Sequence, residues 1–156
     1  AGLELYDHFF EIGKKYNIKP GAPNHAERIE GGLLSYGNDM LISDNPFECG
    51  FEKLVHLNSD IEFLGKNSLK KILDKGIERK LMGVKINSDI INLTNLDLLN
   101  NKEIIGNLRS AAFSPTFKKI IGIAMVKKDY FNTKKNFSIS INNKLVDGEI
   151  CDLPIV

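Results

Sequence analysis

The stretch RKLMGVKI, Arg79–Ile86, marks the point where the chain changes character. Its apolar residues lie too close together for the 3.6-residue period of a surface helix, and they suit a buried strand. The same pattern repeats downstream. Residues 104–113, 120–127, 137–141 and 144–151 read as strands separated by Asn, Gly and Pro turns. Phe137, Ile139 and Ile141 alternate with Ser138 and Ser140, the period-two signature of a strand with one wet face, and INNKL at 141–145 is a tight hairpin candidate. This half predicts a small antiparallel barrel or sandwich. Residues 87–101, polar and apolar by turns, read as a long surface excursion.

Upstream of Arg79 the periodicity is helical. Leu5, Phe9, Ile12 and Tyr16 recur at helical spacing, with Glu4, Asp7, Glu11, Lys14 and Lys15 opposite, which predicts a surface helix over 3–16. Pro20, Gly21 and Pro23 then break the chain, and Asn24 suits the cap of a second helix over 25–33. Leu64, Leu69, Ile72 and Leu73 mark a third, closed by Gly76. The stretch PFECGFEKLVHL, 46–57, is apolar enough to enter a core. The expected fold class is α+β, divided into residues 1–78 and a β portion at 79–156.

Composition narrows the function classes. Of 156 residues 42% are hydrophobic and 26% charged, and the formal net charge of +1 calls for no polyanionic partner. Eighteen Lys stand against three Arg, with 16 Asn, a balance that reads as coding bias rather than nucleic-acid recognition. The longest uncharged apolar run, 120–126, is far short of the roughly 20 residues that span a bilayer. Cys49 and Cys151 are too few for a disulfide framework and read as reduced thiols in a cytoplasmic protein. A chain that opens AGLELYDHFF, two residues from an amphipathic helix, reads as cut from something longer.

Chemistry is sparse. His8, His25 and His56 share no metal spacing with the cysteines. Hydrolase, phosphate-loop and dinucleotide motifs are absent, and Ser35 and Ser110 have no base near them in sequence. Arg28 and Glu30, two apart on the second helix, face different ways and need separate partners. With Glu48 they form either a buried ion-pair set tying helix to turn or the lining of a ligand cavity. Lys53 either snorkels out of the core or aims a charge into a pocket.

The run GAPNHAERIEGGLLSYGNDM (21–40), followed by NPFECGFEKLV, FLGKNSL, RKLMGVKI and RSAAFSPTFKKIIGIAMV, resembles the C-terminal half of the folate-dependent aminomethyltransferase superfamily, that of the glycine-cleavage T-protein. The resemblance implies that residues 1–78 belong to the C-terminal part of a ferredoxin-like folate-binding region and 79–156 to a small antiparallel β-barrel. Glycine-cleavage members carry an Arg four residues before the Arg of the RIE segment and a Trp just after the NP.E turn. Here those places hold Asn24 and Lys53. In this the chain resembles the dimethylsulfoniopropionate demethylase branch.

That resemblance implies transfer of one sulfonium methyl group to N5 of tetrahydrofolate, giving 5-methyltetrahydrofolate and 3-methylthiopropionate. A sulfonium is already a good leaving group, so the task is alignment in a dry site, with no metal. The implied partners are the small substrate, the folate and an N-terminal half of the same protein; nucleic acid and membrane are not expected. Glu4 in GLELY is not the family's pterin-binding Glu, because it falls on a polar helix face. The resemblance therefore implies no catalytic residue in this chain and places Asn24, Arg28, Tyr36 and Lys53 nearest the ligand, with Tyr36 equally readable as a core aromatic. Phe113 to Pro115 would border the cavity mouth. Two further readings are a folate-binding or interaction module without activity, and a glycine-cleavage-type aminomethyltransferase.

Overall fold

A computed structural model describes residues 1–21, 24–90, 93, 95–132 and 134–155. Its centre is a closed six-stranded antiparallel barrel in the order β1-β4-β3-β2-β5-β6, with β1 Arg79–Ile86, β2 Asp97–Asn100, β3 Glu103–Ser114, β4 Lys119–Lys127, β5 Asn136–Ile141 and β6 Lys144–Cys151. Closure leaves no free sheet edge, which suits so small a β unit. The interior is filled by Met82, Val84 and Ile86 from β1, Ile120, Ala124 and Val126 from β4, and Phe137, Ile139 and Ile141 from β5. Each set obeys the two-residue period of a pleated strand.

β3 breaks that period. Its inward residues are Ile105, Leu108 and Ala111, three apart. Two register shifts account for this: Ile105 is extra against β2, between the pairs Leu99↔Ile104 and Leu98↔Gly106, and Arg109 is extra against β4, between Leu108↔Ala124 and Ser110↔Ile123. Each bulge turns the following residues to the other face. The second delivers Arg109 and Ser110 to the outside of the barrel.

The turns follow residue chemistry. Asn142 and Asn143 take φ of 50° and 63° between the paired Ile141 and Lys144, the left-handed pair that a two-residue hairpin needs. Asn101 and Lys102, φ 48° and 70°, make the same turn between β2 and β3. That hairpin corrects the expected surface excursion at 87–101. A four-residue strand followed by Asn-Lys gives neither a run long enough to show its period nor a glycine turn signal; positions 91, 92 and 94 of that stretch lie outside the described residues.

Residues 1–78 form helices and turns. α1 spans Gly2–Gly13 and tightens into a 3₁₀ turn, Lys14–Tyr16; α2 spans His25–Glu30; α3 spans Lys66–Lys75 and closes on Gly76, whose N–H bonds Ile72 and Leu73 O. α2 ends three residues before the expected 33 because Gly32 takes a left-handed φ of 65°. The only bridge among these described residues joins Tyr36 and Met40. The ferredoxin-like sheet expected for 1–78 is therefore not found among the described residues, and the apolar stretch at 46–57 is turns around a short 3₁₀ segment, Glu52–Leu54.

α2 lies on the outer face of β3 and β4, where Ile29, Cys49, Leu81, Ile121, Ile123 and Ile155 make a second core. β4 is thus buried on both faces from 120 to 126, which explains its unbroken apolar run. Among the described residues no helix is long and apolar enough to cross a membrane.

Gly148 faces inward where a Cβ would come within 2.3 Å of the buried Phe137 ring. Gly148→Ala is expected to cost about 1–3 kcal/mol through overpacking, measured by urea unfolding. Pairing it with Phe137→Leu should cost less than the two single effects added together.

Candidate functional site

The site grows from two reciprocal caps. Asn24 Oδ1 accepts from Glu27 N at 2.8 Å while Glu27 Oε2 accepts from Asn24 N, starting α2. The same Asn-x-x-Glu device recurs at 45–48: Asn45 Oδ1 accepts from Glu48 N at 3.1 Å, and Glu48 Oε2 from Asn45 N at 3.0 Å. Between the two caps runs a loop that has almost no regular backbone pairing. Buried carboxylates take its place.

Asp39 is fully buried and accepts three hydrogen bonds, from Arg28 Nη1 at 2.5 Å, Ser35 N at 2.7 Å and Ser110 Oγ at 2.5 Å. It therefore joins α2, the loop and the bulge of β3. Five residues on, the Asp44 side chain is also fully buried; it accepts from Leu41 N and pairs with Arg79 at 3.0 Å and Arg109 at 3.7 Å. Glu48 receives Arg79 on both oxygens, Nε at 2.9 Å and Nη2 at 3.2 Å, a two-pronged fit that only a guanidinium makes. This bond, ahead of all other influences, pushes the Arg79 guanidinium above its usual value. All three arginines of the chain thus hold one loop, Arg28 to α2 and Arg79 and Arg109 to the barrel.

The expected Arg28, Glu30 and Glu48 set is divided accordingly. Arg28 ties helix to turn through Asp39, Glu48 holds Arg79, and Glu30 accepts from Ser114 Oγ at 2.5 Å while its carbonyl takes the N–H of Ile155. Lys53 stands exposed on its 3₁₀ segment, as do Glu52 and Leu54 on either side of it. Tyr36 is 68% exposed, on the loop that Asp39 holds, so it is no core aromatic within this chain. The structure links Asn24, Arg28 and the Tyr36 loop through one helix and one carboxylate. Lys53 shares no hydrogen bond or ion pair with them among the described residues. Phe113 is half exposed at the end of β3, and Glu4 is solvated.

Asp39, Asp44, Arg79 and Arg109 went unseen as site residues in the sequence, and Ser110 was weighed there only as a nucleophile without a base. The signal was there: a lysine-rich chain that keeps three arginines keeps them where an ammonium cannot replace a planar fork. Two of their nitrogens, Arg28 Nη2 and Arg109 Nε, are buried without a hydrogen-bond partner among the described residues. Ser110 is no activated nucleophile, since its acceptor carboxylate is already neutralised by Arg28 and no histidine joins the pair. Burial, aided by Asp44 and Glu48, pushes the Cys49 thiol up to about 11, and burial raises Cys151 equally far. Among the described residues no cluster of His, Cys, Asp or Glu could hold a metal ion.

Beside the clamp, Gly31, Gly32, Cys49, Lys80 and Leu153 line a cleft of about 210 Å³. That is below the range of roughly 300–1,000 Å³ in which small-molecule pockets fall. Beside the clamp, then, the residues offer a wall rather than an enclosure.

The family described as the glycine cleavage T-protein C-terminal barrel domain matches residues 79–156, the whole barrel. The chain belongs to that family. It is 35% identical over 162 aligned residues to an aminomethyltransferase of Thermosipho melanesiensis, covering 98% of this chain and 44% of that protein. An aminomethyltransferase of Thermoanaerobacter pseudethanolicus is 33% identical, covering 91% and 39%. A dimethylsulfoniopropionate demethylase of Ruegeria pomeroyi is 34% identical over 131 residues, covering 83% and 35%. The fold of a glycine cleavage system aminomethyltransferase T from Bartonella henselae superposes with a TM-score of 0.73 at 23% identity, covering 84% of this chain and 37% of that one. The chain therefore spans less than half the length of these relatives.

Asp39→Ala leaves the Arg28 guanidinium buried beside an empty site and should cost about 3–5 kcal/mol in chemical denaturation. With both thiols protonated through neutral pH, alkylation of native Cys49 and Cys151 at pH 8 should be at least about 100-fold slower than in urea, followed by mass spectrometry.

Proposed function

We propose that the chain is the C-terminal portion of a tetrahydrofolate-dependent demethylase that moves a methyl group from dimethylsulfoniopropionate to tetrahydrofolate, yielding 5-methyltetrahydrofolate and 3-methylthiopropionate. In this reading residues 79–156 are its barrel and 1–78 the end of its folate-binding region. One observation carries the choice of substrate. Asn24 and Lys53 stand where the glycine-cleavage pattern resembled here has Arg and Trp, and Asn24 is spent as a helix cap while Lys53 is solvated. The similarity to the Ruegeria pomeroyi demethylase supports the same choice.

The chemistry asks little of this chain. Methyl transfer from a sulfonium releases a neutral thioether, so rate comes from holding donor and acceptor in line in a water-poor site. The arginine clamp fixes the loop that carries Tyr36, and an exposed aromatic ring can lie against a flat ligand or a cationic sulfonium. Activity requires the rest of the protein, and the isolated chain is inactive in this reading.

A second reading, an aminomethyltransferase of the glycine-cleavage kind, is favoured by coverage, since the Thermosipho melanesiensis protein aligns with 98% of the chain. The two separate in one assay. The intact protein is expected to form 5-methyltetrahydrofolate from the sulfonium, detected by chromatography; turnover of an aminomethylated donor with none from the sulfonium would sink the demethylase. Tyr36→Ala should raise KM for folate by about 10-fold or more, the scale of one lost aromatic contact, with the melting temperature held.

A further inference from the structure

Tyr36 sits in a loop that is closed on itself. Ser35 O accepts from the N–H groups of Asn38, Asp39 and Met40, Gly37 N donates to Met40 O at 2.8 Å, and Ser35 N donates to Asp39 Oδ2 at 2.7 Å. Residues 35–40 therefore form one compact unit, and the exposed Tyr36 ring goes wherever that unit goes. What remains to be fixed is how the unit is seated on the rest of the fold.

Its two supports come from different layers. Arg28 on α2 donates to Asp39 Oδ2, and Ser110 on β3 donates to Asp39 Oδ1. One carboxylate thus faces the helix with one oxygen and the barrel with the other. The two supports differ in stiffness: the arginine fork stands at the end of a flexible stem on a six-residue helix, whereas the serine hydroxyl sits directly on Cβ, on a strand of a closed barrel. Arg28 alone would let the unit rock about its bond. The second bond, to the other oxygen, removes that freedom.

Ser110 can make this bond only because the strand is irregular. Arg109 is extra against β4, between Leu108↔Ala124 and Ser110↔Ile123, and the bulge turns Ser110 from the interior to the loop. Four residues along the same strand, the buried Ser114 donates to Glu30 Oε1 and so seats α2 instead. β3 therefore holds helix and loop through separate hydroxyls.

We propose that Ser110 is a positioning residue, which through Asp39 sets where the Tyr36 ring stands against the ligand. It touches no ligand itself. This rests on the proposed contact of Tyr36 with folate, not on the identity of the methyl donor. A displaced ring loses its contact in the bound state and in the transition state alike, so the effect falls on KM rather than kcat.

The test uses the intact gene product and two readouts, one of which needs no turnover. Ser110→Ala should speed amide exchange of residues 35–40 by about 10-fold or more, the scale of one hydrogen bond to a charged acceptor. Ser110→Thr, which keeps the hydroxyl, should restore most of that protection. In turnover, Ser110→Ala should raise KM for folate by about 10-fold with kcat held, and in a Tyr36→Ala background it should raise KM no further, because both changes remove the same contact. Gly148→Ala, destabilised from inside the barrel, should move neither readout.

Unchanged exchange at 35–40, an equal effect of Gly148→Ala, a fall in kcat with KM held, or additive effects of Ser110→Ala and Tyr36→Ala would each overturn the proposal. Faster exchange with an unmoved KM would overturn it too, and with it the contact of Tyr36 with folate. Turnover of an aminomethylated donor in place of the sulfonium removes only the demethylase, and both readouts are then taken with that donor.

Discussion

The double burial of β4 is the constraint from which the rest of the molecule follows. Ile120, Ala124 and Val126 fill the barrel, while Ile121, Ile123 and Met125 point outward with equally apolar surface. A barrel alone would leave that outer row in water. α2, the loop that follows it and residues 153–155 cover it, and Ile29 and Ile155 become core residues although neither belongs to the barrel. Burying each such side chain is worth roughly 1.5–3 kcal/mol, which is enough to order short segments with little structure of their own.

Covering a sheet with a loop creates a second problem, because loop backbone brings polar groups into a dry place. The answer here is charge. Asp39, Asp44 and Glu48 accept the loop's own N–H groups at Ser35, Leu41 and Asn45, and each carboxylate is then paired with an arginine anchored on α2 or the barrel. Such pairs add little net stability compared with apolar packing, but they permit only one arrangement. The β3 bulge belongs to the same solution, since without its extra residue Ser110 would face the interior and could not reach Asp39.

The proposed function would draw on this rigidity. In that reading, a methyl transfer that needs alignment more than activation would be served by a loop locked from three sides, with Tyr36 on its outer surface. The family membership and the greater length of the relatives bear on the reading proposed above, in which this chain is a C-terminal portion. Lys66 and the arginine clamp do related work in the fold: one pins residues 59–62 to α3, the other holds the loop after α2 in place.

Much of this was written locally. Five of the six strands, the Asn142–Asn143 hairpin, the Asn24 cap and the Gly76 stop depend on neighbours within a few residues, so periodicity and turn chemistry revealed them. So did the separate partners of Arg28 and Glu30, a matter of helix geometry alone. β2 escaped because four residues are too few to show a period. The bulges escaped because an inserted residue is defined only against its partner strand. Above all, tertiary structure decided what the three arginines do: Arg79 meets Glu48 across 31 residues and Ser110 meets Asp39 across 71, distances over which no sequence pattern operates and only the closed barrel brings the groups together.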